Sequence, residues 1–353
     1  MSATVPVRSS VPARPQRTVV LPTRRARLAG LVAALVLVAL CSLCSLALGS
    51  LSIGLGEVIR AFTHYDGSDA AAIVRDLRVP RTELGLLVGA ALGASGALMQ
   101  GTTRNPLAEP GILGINAGAA FAVVCAIRFL GVSSVTGYAV FALAGAGVAA
   151  VLVFALGASG RGGPTPVRLA LAGAVLTALL VSLTSAVLVF SAQTLDEFRF
   201  WVVGSLSGRD ASVTLSVLPF IAAGAAIALG AGRWLNALAL GDDVARSLGQ
   251  NVAGARVAAG AGFVLLAGGA VAAVGPIAFV GLAVPHIARG LVGPDYRWIV
   301  PYSMVLGAIL LLSSDVAGRL VARPAELQVG VVTALVGAPF FIWLVRRRRL
   351  VAL

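Results

Sequence analysis

The sequence predicts an all-α membrane protein with about ten transmembrane helices, and two observations carry this prediction. The chain has 353 residues, of which 58% are hydrophobic and only 12% are charged. Its mean hydropathy is +0.96, and its apolar residues form continuous runs rather than the alternating pattern of a transmembrane β-barrel. A soluble domain does not need so much apolar surface, so a helical membrane domain is the expected class.

Ten apolar runs are candidates for membrane spans. They lie at about 28–48, 84–101, 111–130, 136–157, 167–190, 212–232, 256–274, 277–292, 299–314 and 329–345. The preceding residues, 1–27, are rich in Pro, Ser, Thr and Arg and predict a disordered basic cytoplasmic tail. Residues 28–350 are expected to form a single membrane domain. Basic residues at both chain ends require an even number of spans and place both termini in the cytoplasm.

Two of the spans are interrupted near their start. Pro110-Gly111 and Gly275-Pro276 each open a span that follows a glycine-rich one. Interrupted segments in corresponding positions indicate two halves of inverted topology, as in many transporters. The glycine-rich motifs Gly89-Ala-Ala-Leu-Gly93 and Gly93-Ala-Ser-Gly96 predict helices that approach each other closely.

The net charge of +13 comes entirely from arginine, because the chain contains no lysine. The arginines cluster at the ends of spans, where they act as topology signals, so a nucleic-acid partner is not expected. Cys41, Cys44 and Cys125 lie inside apolar runs and are interpreted as packing residues rather than as metal ligands or a disulfide framework.

No catalytic motif stands out. The sequence has no Walker A loop, no HExxH and no nucleophile elbow, and His64 lies far from His286. Acidic residues lie almost entirely in loops, whereas transporters driven by protons or sodium place a carboxylate near the bilayer centre. We therefore expect no enzyme activity and no cofactor in this chain, and an energy source in a partner. A stand-alone secondary transporter and an intramembrane enzyme are the alternatives.

Residues 240–249 predict a short amphipathic helix in a cytoplasmic loop. Asp242 and Asp243 occupy its first turn, where the helix dipole favours anions, and Gly249 ends it. Ala245 and Leu248 are expected to form one small apolar face. The segment is either an ordinary solvated connector or a rigid element against which a motor protein pushes.

Residues 281–289 place Pro285, His286 and Arg289 inside an apolar span. Such groups need protein or a cavity around them, because hydrocarbon does not satisfy polar atoms. Pro285 leaves a carbonyl unbonded one turn earlier, which favours a structural hinge over substrate contact. His286 by itself is unsuited to hold a metal, since no second ligand lies at a workable spacing.

A series of motifs follows in order from residue 78 to residue 345. They are Arg78-Val-Pro-Arg81, residues 89–100, Arg104-Asn-Pro-Leu-Ala-Glu-Pro110 with Leu113-Gly-Ile-Asn-Ala-Gly118, residues 240–249, Gly275-Pro-Ile-Ala-Phe-Val-Gly281, Pro285-His-Ile-Ala-Arg289, and Gly330-Val-Val-Thr-Ala with Gly337-Ala-Pro-Phe340. In this series the chain resembles the FecCD family, the permeases of ATP-binding-cassette (ABC) importers for iron-siderophores and vitamin B12. Gln328 stands where the family usually carries proline. Residues 103–118, 165–173 and 198–206 resemble the ferric-enterobactin type of permease most closely.

The resemblance implies a type II ABC importer permease fold. Two ten-helix subunits pair around a central path, and each sits on an ATPase subunit that binds ATP and Mg²⁺. An extracytoplasmic binding protein delivers the substrate. The second permease is either another copy of this chain or a related one.

The resemblance also implies site residues. Those facing the ATPase are Gly241, Asp242, Asp243, Ala245, Arg246, Leu248 and Gly249. Those docking the binding protein are Arg78, Arg81 and Arg319, although Arg78 and Arg81 also suit interfacial anchoring and Arg319 also suits an i, i+4 pair with Asp315. Those forming a cytoplasmic gate are Asn105, Pro106, Leu107, Thr165 and Val167.

Together these observations predict the permease subunit of an ABC importer for a ferric siderophore of the enterobactin type. We expect it to be a multi-pass protein of the inner (cytoplasmic) membrane. Vitamin B12 or haem is the alternative substrate within the same family.

Overall fold

The computed structural model describes residues 19–65, 67–159 and 166–346, which are predominantly helical. The helices are α1 (Arg24–Ala47), α2 (Leu55–Thr63), α3 (Asp69–Ala72), α4 (Val79–Thr103), α5 (Ile115–Leu130), α6 (Val135–Ala158), α7 (Pro166–Val189), α8 (Ala192–Val202), α9 (Ala211–Gly230), α10 (Gly232–Ala239), α11 (Asp242–Ser247), α12 (Val252–Val274), α13 (Val280–Val292), α14 (Tyr296–Val321) and α15 (Val329–Arg346). A π-helical segment, Ile73–Arg78, leads into α4, and a 3₁₀ turn, Pro110–Leu113, leads into α5.

The prediction of about ten spans is confirmed in the described part of the chain. Seven helices are long and apolar enough to cross a membrane, and three shorter apolar helices, in α5, α13 and α15, bring the number to ten. Four further helices, α2, α3, α8 and α10, were not predicted, because these short helices lie outside the long apolar runs of the sequence.

Contacts between helices define two ends of the bundle, which we call the inner end and the outer end after the predicted topology. At the inner end the Tyr302 hydroxyl, near the start of α14, donates to the carbonyl oxygen of Arg27 at 2.6 Å. At the outer end Arg319, near the end of α14, donates to the carbonyl oxygen of Leu48 at 2.9 Å. Helix α1 therefore begins at the inner end, and α15 begins at the outer end, where the amide of Leu327 donates to the carbonyl oxygen of Gly318 at 3.2 Å.

The prediction that residues 1–27 form a disordered tail is wrong for residues 19–27. The helix α1 begins at Arg24, and Thr23 caps it by accepting a hydrogen bond from the amide of Ala26 at 3.1 Å. The amide of Leu21 donates to Leu291 at 2.9 Å, and the guanidinium of Arg27 lies over the ring of Trp298. Residues 19–27 are therefore packed on the inner ends of α13 and α14, while residues 1–18 lie outside the described residues.

Helix α4 is the central helix of the bundle, and its glycines bring neighbouring backbones into contact. A Cβ atom at Gly89 would lie 2.5 Å from the carbonyl oxygen of Gly307 in α14. A Cβ atom at Gly96 would collide with the backbone of Gly281 in α13. The close approach predicted from the glycine-rich motifs is confirmed, and it fixes α13 and α14 against α4.

Both interrupted spans are short helices that begin inside the bundle. Helix α13 has 13 residues, a length of about 20 Å, which is less than the roughly 30 Å of the hydrocarbon core. Phe279, just before it, adopts a left-handed conformation with φ of 68°. The Phe279 amide donates to Oε1 of Glu109, the residue before the 3₁₀ turn, at 3.1 Å. This bond joins the two interruptions to each other.

Candidate functional site

The predicted amphipathic helix of residues 240–249 is present as α11. Ala245 is completely buried, whereas Leu248 is 65% exposed. The prediction that these two residues share one apolar face is therefore wrong. Leu248 is instead exposed together with Leu240, which precedes Gly241, and with Val244, which lies in α11. We call these three side chains the exposed stripe.

Two glycines set the limits of this segment. Gly241 has φ of 107° and Gly249 has φ of 80°, conformations that other residues adopt only with strain. The amide of Gly249 donates to the carbonyl oxygen of Arg246 at 2.9 Å. The predicted C-terminal stop at Gly249 is confirmed.

The two aspartates at the start of α11 have different environments. Asp242 accepts two hydrogen bonds of 2.9 Å from the guanidinium of Arg256 in α12. It also forms a 3.2 Å ion pair with Arg104, the residue that follows α4. Asp243 is 99% exposed and pairs with Arg246 of the same turn, at 2.9 Å. Asp242 therefore anchors α11 to two spans, while Asp243 faces away from the bundle.

The turn at residues 105–109 follows Arg104 directly. The side-chain oxygen of Asn105 accepts a hydrogen bond from the amide of Leu107 at 3.0 Å, which stabilises the break between α4 and the next span. Pro106 and Leu107 are half-buried. Of the other predicted gate residues, Val167 is 69% exposed at the start of α7. Thr165 lies outside the described residues.

The carbonyl left unbonded by Pro285 has a partner in another helix. Proline has no amide hydrogen, so the carbonyl of Gly281, four residues earlier, receives no helical hydrogen bond. The side-chain amide of Gln100 in α4 donates to the carbonyl oxygens of Gly281 and Leu282, at 3.4 and 3.2 Å. The interruption in α13 is thereby tied to α4.

Arg289 extends the same polar cluster toward the inner end. It is buried, donates to Oε1 of Gln100 at 3.4 Å, and donates to the hydroxyl of Tyr296 at 3.1 Å. Pro285 and His286 are buried in the same helix. The cluster fixes α13 to α4 and α14, and a hinge function for Pro285, His286 and Arg289 stays a prediction.

Docking of a binding protein by Arg78 and Arg319 would require free guanidinium groups at the outer end. In the structure both guanidinium groups are occupied. Arg319 is only 2% exposed and donates to the carbonyl oxygen of Leu48 at 2.9 Å. Arg78 is also buried and donates to carbonyl oxygens within residues 46–51. Both side chains bind the irregular segment that follows α1, because its carbonyl groups have no helical partners.

The remaining docking candidate, Arg81, belongs to a buried ion network. Its Nη2 and Nε atoms donate to Asp315 at 2.8 and 3.1 Å, and its Nη1 atom donates to Glu326 at 2.7 Å. Asp315 is fully buried and also pairs with Arg319 at 3.0 Å, which is the i, i+4 pair considered from the sequence. Asp315 is also an exception to the expected confinement of acidic residues to loops, since it lies in α14. Two arginines compensate its charge.

Residues 35–347 match the model of the FecCD transport family. The chain belongs to the FecCD transport family. It is 46% identical over 304 residues to the ferric enterobactin transport system permease protein FepD of Escherichia coli, covering 86% of this chain and 90% of that protein. It is 43% identical over 291 residues to the probable siderophore transport system permease protein YfiZ of Bacillus subtilis, covering 82% and 87% respectively.

A solved structure is similar across nearly the whole chain. It is described as an inward-facing conformation of a metal-chelate type ABC transporter, and it matches with a TM-score of 0.80 and 29% sequence identity. The match covers 91% of this chain and 99% of that one. The ABC importer permease fold predicted for this FecCD member is thus confirmed.

Several residues that connect the elements of this FecCD chain were not predicted from its sequence. They are Gln100, Arg104, Glu109, Arg256 and Glu326. The first three lie inside motifs that carry the family resemblance, but no function was predicted for these residues. Arg256 and Glu326 gave no signal, because their partners, Asp242 and Arg81, are distant in sequence.

Proposed function

We propose that this chain is the membrane-spanning permease subunit of an ABC importer for a ferric siderophore. The observation that carries the proposal is α11, a short helix that exposes apolar side chains at the inner end and is anchored by Asp242 to two spans. The sequence contains no nucleotide-binding motif, so the energy for transport enters through a partner at this helix.

The exposed stripe suits a protein partner. Leu240, Val244 and Leu248 are exposed together, and burying one such side chain fully stabilises a complex by about 1.5–3 kcal/mol. Ala245 packs the opposite side of α11 against the bundle, so the helix moves with the spans rather than independently. An ATPase subunit that holds the stripe can therefore push or pull on the bundle.

The path from the ATPase to the transport route runs through Arg104. Asp242 pairs with Arg104, and the next residues are Asn105, Pro106 and Leu107 of the proposed cytoplasmic gate. The same turn continues to Glu109, whose carboxylate accepts the Phe279 amide at the start of α13. A displacement of α11 is thereby transmitted to the gate turn and to the interrupted span.

A second permease subunit is proposed to cover α7. Its exposed residues include a stripe of small side chains, Ala174, Ala178, Ser182 and Ser185, and large apolar residues beside them. Small residues allow two helices to approach closely in a membrane. Helix α1 differs, because its exposed residues are mostly large and aliphatic, as expected for contact with lipid.

The proposed substrate is a ferric siderophore, because the relatives named above are described as siderophore and ferric enterobactin permeases. Vitamin B12 or haem is the alternative. The proposed location is the cytoplasmic membrane with both termini in the cytoplasm, since α11 must face ATP and the arginines at the start of α1 lie at the same end of the bundle as α11.

The test is reconstitution of this chain in vesicles, with and without the ATPase and the binding protein of its own transport system. Uptake of radioactive iron as ferric enterobactin, with ferric hydroxamate and haem as alternative substrates, is expected only when both partners and MgATP are present. Uptake by this chain alone would contradict the proposal and favour a stand-alone transporter.

A variant pair tests the role of α11. Leu248→Asp is expected to abolish co-purification of the ATPase and ATP-driven uptake, because a charge would replace an apolar contact. Leu55→Asp makes the same change at an exposed site of the outer end, away from the predicted docking arginines, and serves as the control. Equal uptake by both variants would show that α11 is only a connector.

A further inference from the structure

Residues 19–27 fold back over the inner ends of two spans, and we call them the N-terminal strap. The amide of Leu21 donates to the carbonyl oxygen of Leu291 in α13 at 2.9 Å. The hydroxyl of Tyr302 in α14 donates to the carbonyl oxygen of Arg27 at 2.6 Å. The strap is therefore held by both spans, and it fixes the start of α1 on the bundle.

Arg27 is the half-buried arginine of the strap. Its Nε atom donates to the carbonyl oxygen of Leu21 at 3.1 Å, and its guanidinium carbon lies 5.9 Å from the centre of the Trp298 ring. Within the described part of the chain, neither of its Nη groups donates a hydrogen bond or pairs with a carboxylate. The guanidinium is thus oriented by two contacts and remains available to an anion.

Two further arginines, Arg24 and Arg25, are exposed at the start of α1, and no carboxylate of the described residues pairs with either of them. Other arginines of the inner end differ in this respect. Arg104, Arg256 and Arg297 each pair with an aspartate, at 3.2, 2.9 and 2.9 Å respectively. The strap therefore concentrates three cations within about one helical turn without an internal counter-ion.

The direction of α1 makes this concentration of cations unfavourable by itself. The N-terminal end of a helix carries a partial positive charge, which disfavours cations and favours anions. The first turn of α1 contains no acidic residue. The helix end offers no further binding site of its own in Ala26, because Thr23 already accepts the amide of that residue. An external anion held by the arginines would offset both the repulsion among them and the helix dipole.

The apolar surface of α1 shows the depth of the arginines in the membrane. Leu28 and Val32 follow within two turns and are 47% and 60% exposed, as expected for side chains in contact with lipid chains. Hydrocarbon solvates a guanidinium poorly, so its boundary lies between Leu28 and the arginines. Trp298, half-buried beside Arg27, has an amphipathic ring typical of the same boundary. The strap arginines therefore lie at the level of the lipid phosphate groups.

We propose that the strap arginines and the adjoining tryptophan bind the headgroup of an anionic phospholipid in the cytoplasmic leaflet. The residues are Arg24, Arg25, Arg27 and Trp298. A guanidinium binds a phosphate through parallel hydrogen bonds, so the phosphodiester suits these side chains. The acyl chains of the same lipid lie along the exposed face of α1 that begins at Leu28. The inference uses the membrane orientation proposed above and does not depend on the transported substrate.

A carboxylate of a partner protein would also compensate the strap arginines. The lipid is favoured by the continuity of the surface, because the exposed apolar residues of α1 follow the arginines directly. A phospholipid presents an anion joined to hydrocarbon, which matches both parts of this surface. A bound headgroup also fixes the strap against the inner ends of α13 and α14.

The first experiment measures binding of fluorescent phosphatidylglycerol to the purified protein in a neutral detergent, with fluorescent phosphatidylcholine as the reference lipid. Arg24→Gln combined with Arg25→Gln should weaken binding of phosphatidylglycerol about twenty-fivefold, since each arginine near an anionic surface contributes about fivefold. Binding of phosphatidylcholine should not change. The corresponding double lysine variant keeps both charges and should retain most of the affinity. The control is Arg60→Gln combined with Arg75→Gln, which removes two exposed arginines of the outer end.

A second readout is local to the strap and needs no change in its arginines. The chain contains four tryptophans, and the variant used keeps Trp298 and replaces the other three by phenylalanine. Bromine on a lipid chain quenches tryptophan fluorescence on contact. Brominated phosphatidylglycerol should quench Trp298 more strongly than brominated phosphatidylcholine at the same fraction of the bilayer. Inorganic phosphate at the concentration of the lipid should not reverse the quenching, because a free anion has no acyl chains to hold it.

Equal quenching by the two brominated lipids would overturn the inference. A double glutamine variant that binds phosphatidylglycerol as tightly as the parental protein would also overturn it. If that variant instead loses the ATPase on purification while its lipid affinity is unchanged, the arginines serve a protein partner. Both measurements are made without substrate, ATP or partner proteins, so their failure would leave the proposed importer intact, and failure of ATP-driven uptake would leave the lipid site intact.

Discussion

The two ends of the bundle use charge in opposite ways. At the outer end, Arg81, Arg319 and Asp315 form a buried network whose members neutralise one another. At the inner end, α11 directs Asp243 and its exposed stripe away from the bundle and retains only Asp242 for an internal contact. The outer arginines stabilise the fold, whereas α11 at the inner end leaves apolar side chains exposed.

The difference shows that a charged side chain near the end of a span is not necessarily free to bind a partner. A buried ion is costly unless it is paired, so an arginine near a span end first satisfies the fold. An exposed apolar side chain needs no pairing within the fold, so it remains available to a partner. The sites of interaction are therefore better identified from unsatisfied groups than from the sign of their charge.

The largest expected effect concerns Asp315. Asp315→Asn removes the carboxylate between Arg81 and Arg319 and should destabilise the protein by about 3–5 kcal/mol, because two buried cations lose their counter-ion. Thermal unfolding in a single detergent measures this effect. Asp243→Asn makes the same chemical change at the exposed aspartate of the inner end and should leave the unfolding temperature unchanged. Similar losses for both variants would remove the contrast between the ends.

A smaller effect is expected at the anchor of α11. Asp242→Ala removes the contacts with Arg104 and Arg256, so ATP hydrolysis should continue in the assembled complex while uptake per ATP falls about tenfold. Parallel assays of hydrolysis and uptake provide the measurement, with Asp196→Ala, which removes an exposed ion pair with Arg199 outside α11, as the control. Unchanged uptake per ATP in Asp242→Ala would show that the anchor does not transmit force.

The smallest effect sharpens the comparison within the outer network. Glu326→Gln removes the partly exposed partner of Arg81 and should cost less than about 1 kcal/mol, since water can replace this contact. Chemical unfolding of this variant beside Asp315→Asn measures the difference. A cost as large as that of Asp315→Asn would mean that Glu326 belongs to the buried network rather than to its rim.

Much of the architecture was predictable from the sequence because it depends on local patterns. The ten spans follow from the length of the apolar runs, and the close packing of α4 follows from its spaced glycines. The start and end of α11 follow from Gly241 and Gly249, since only glycine enters those backbone conformations without strain. The family followed from the order of several motifs along the chain.

Only the tertiary structure decided which side chains are free and which are occupied. The sequence placed Arg78, Arg81 and Arg319 at the outer end and offered Asp315 as a partner of Arg319. It did not reveal that Asp315 also holds Arg81, or that carbonyl groups near the end of α1 hold Arg78 and Arg319. Nor did it show that Ala245 faces inward and Leu248 outward. The reason is physical: apolar length is a property of consecutive residues, whereas the pairing of a buried charge depends on helices that are remote in sequence and adjacent only after folding.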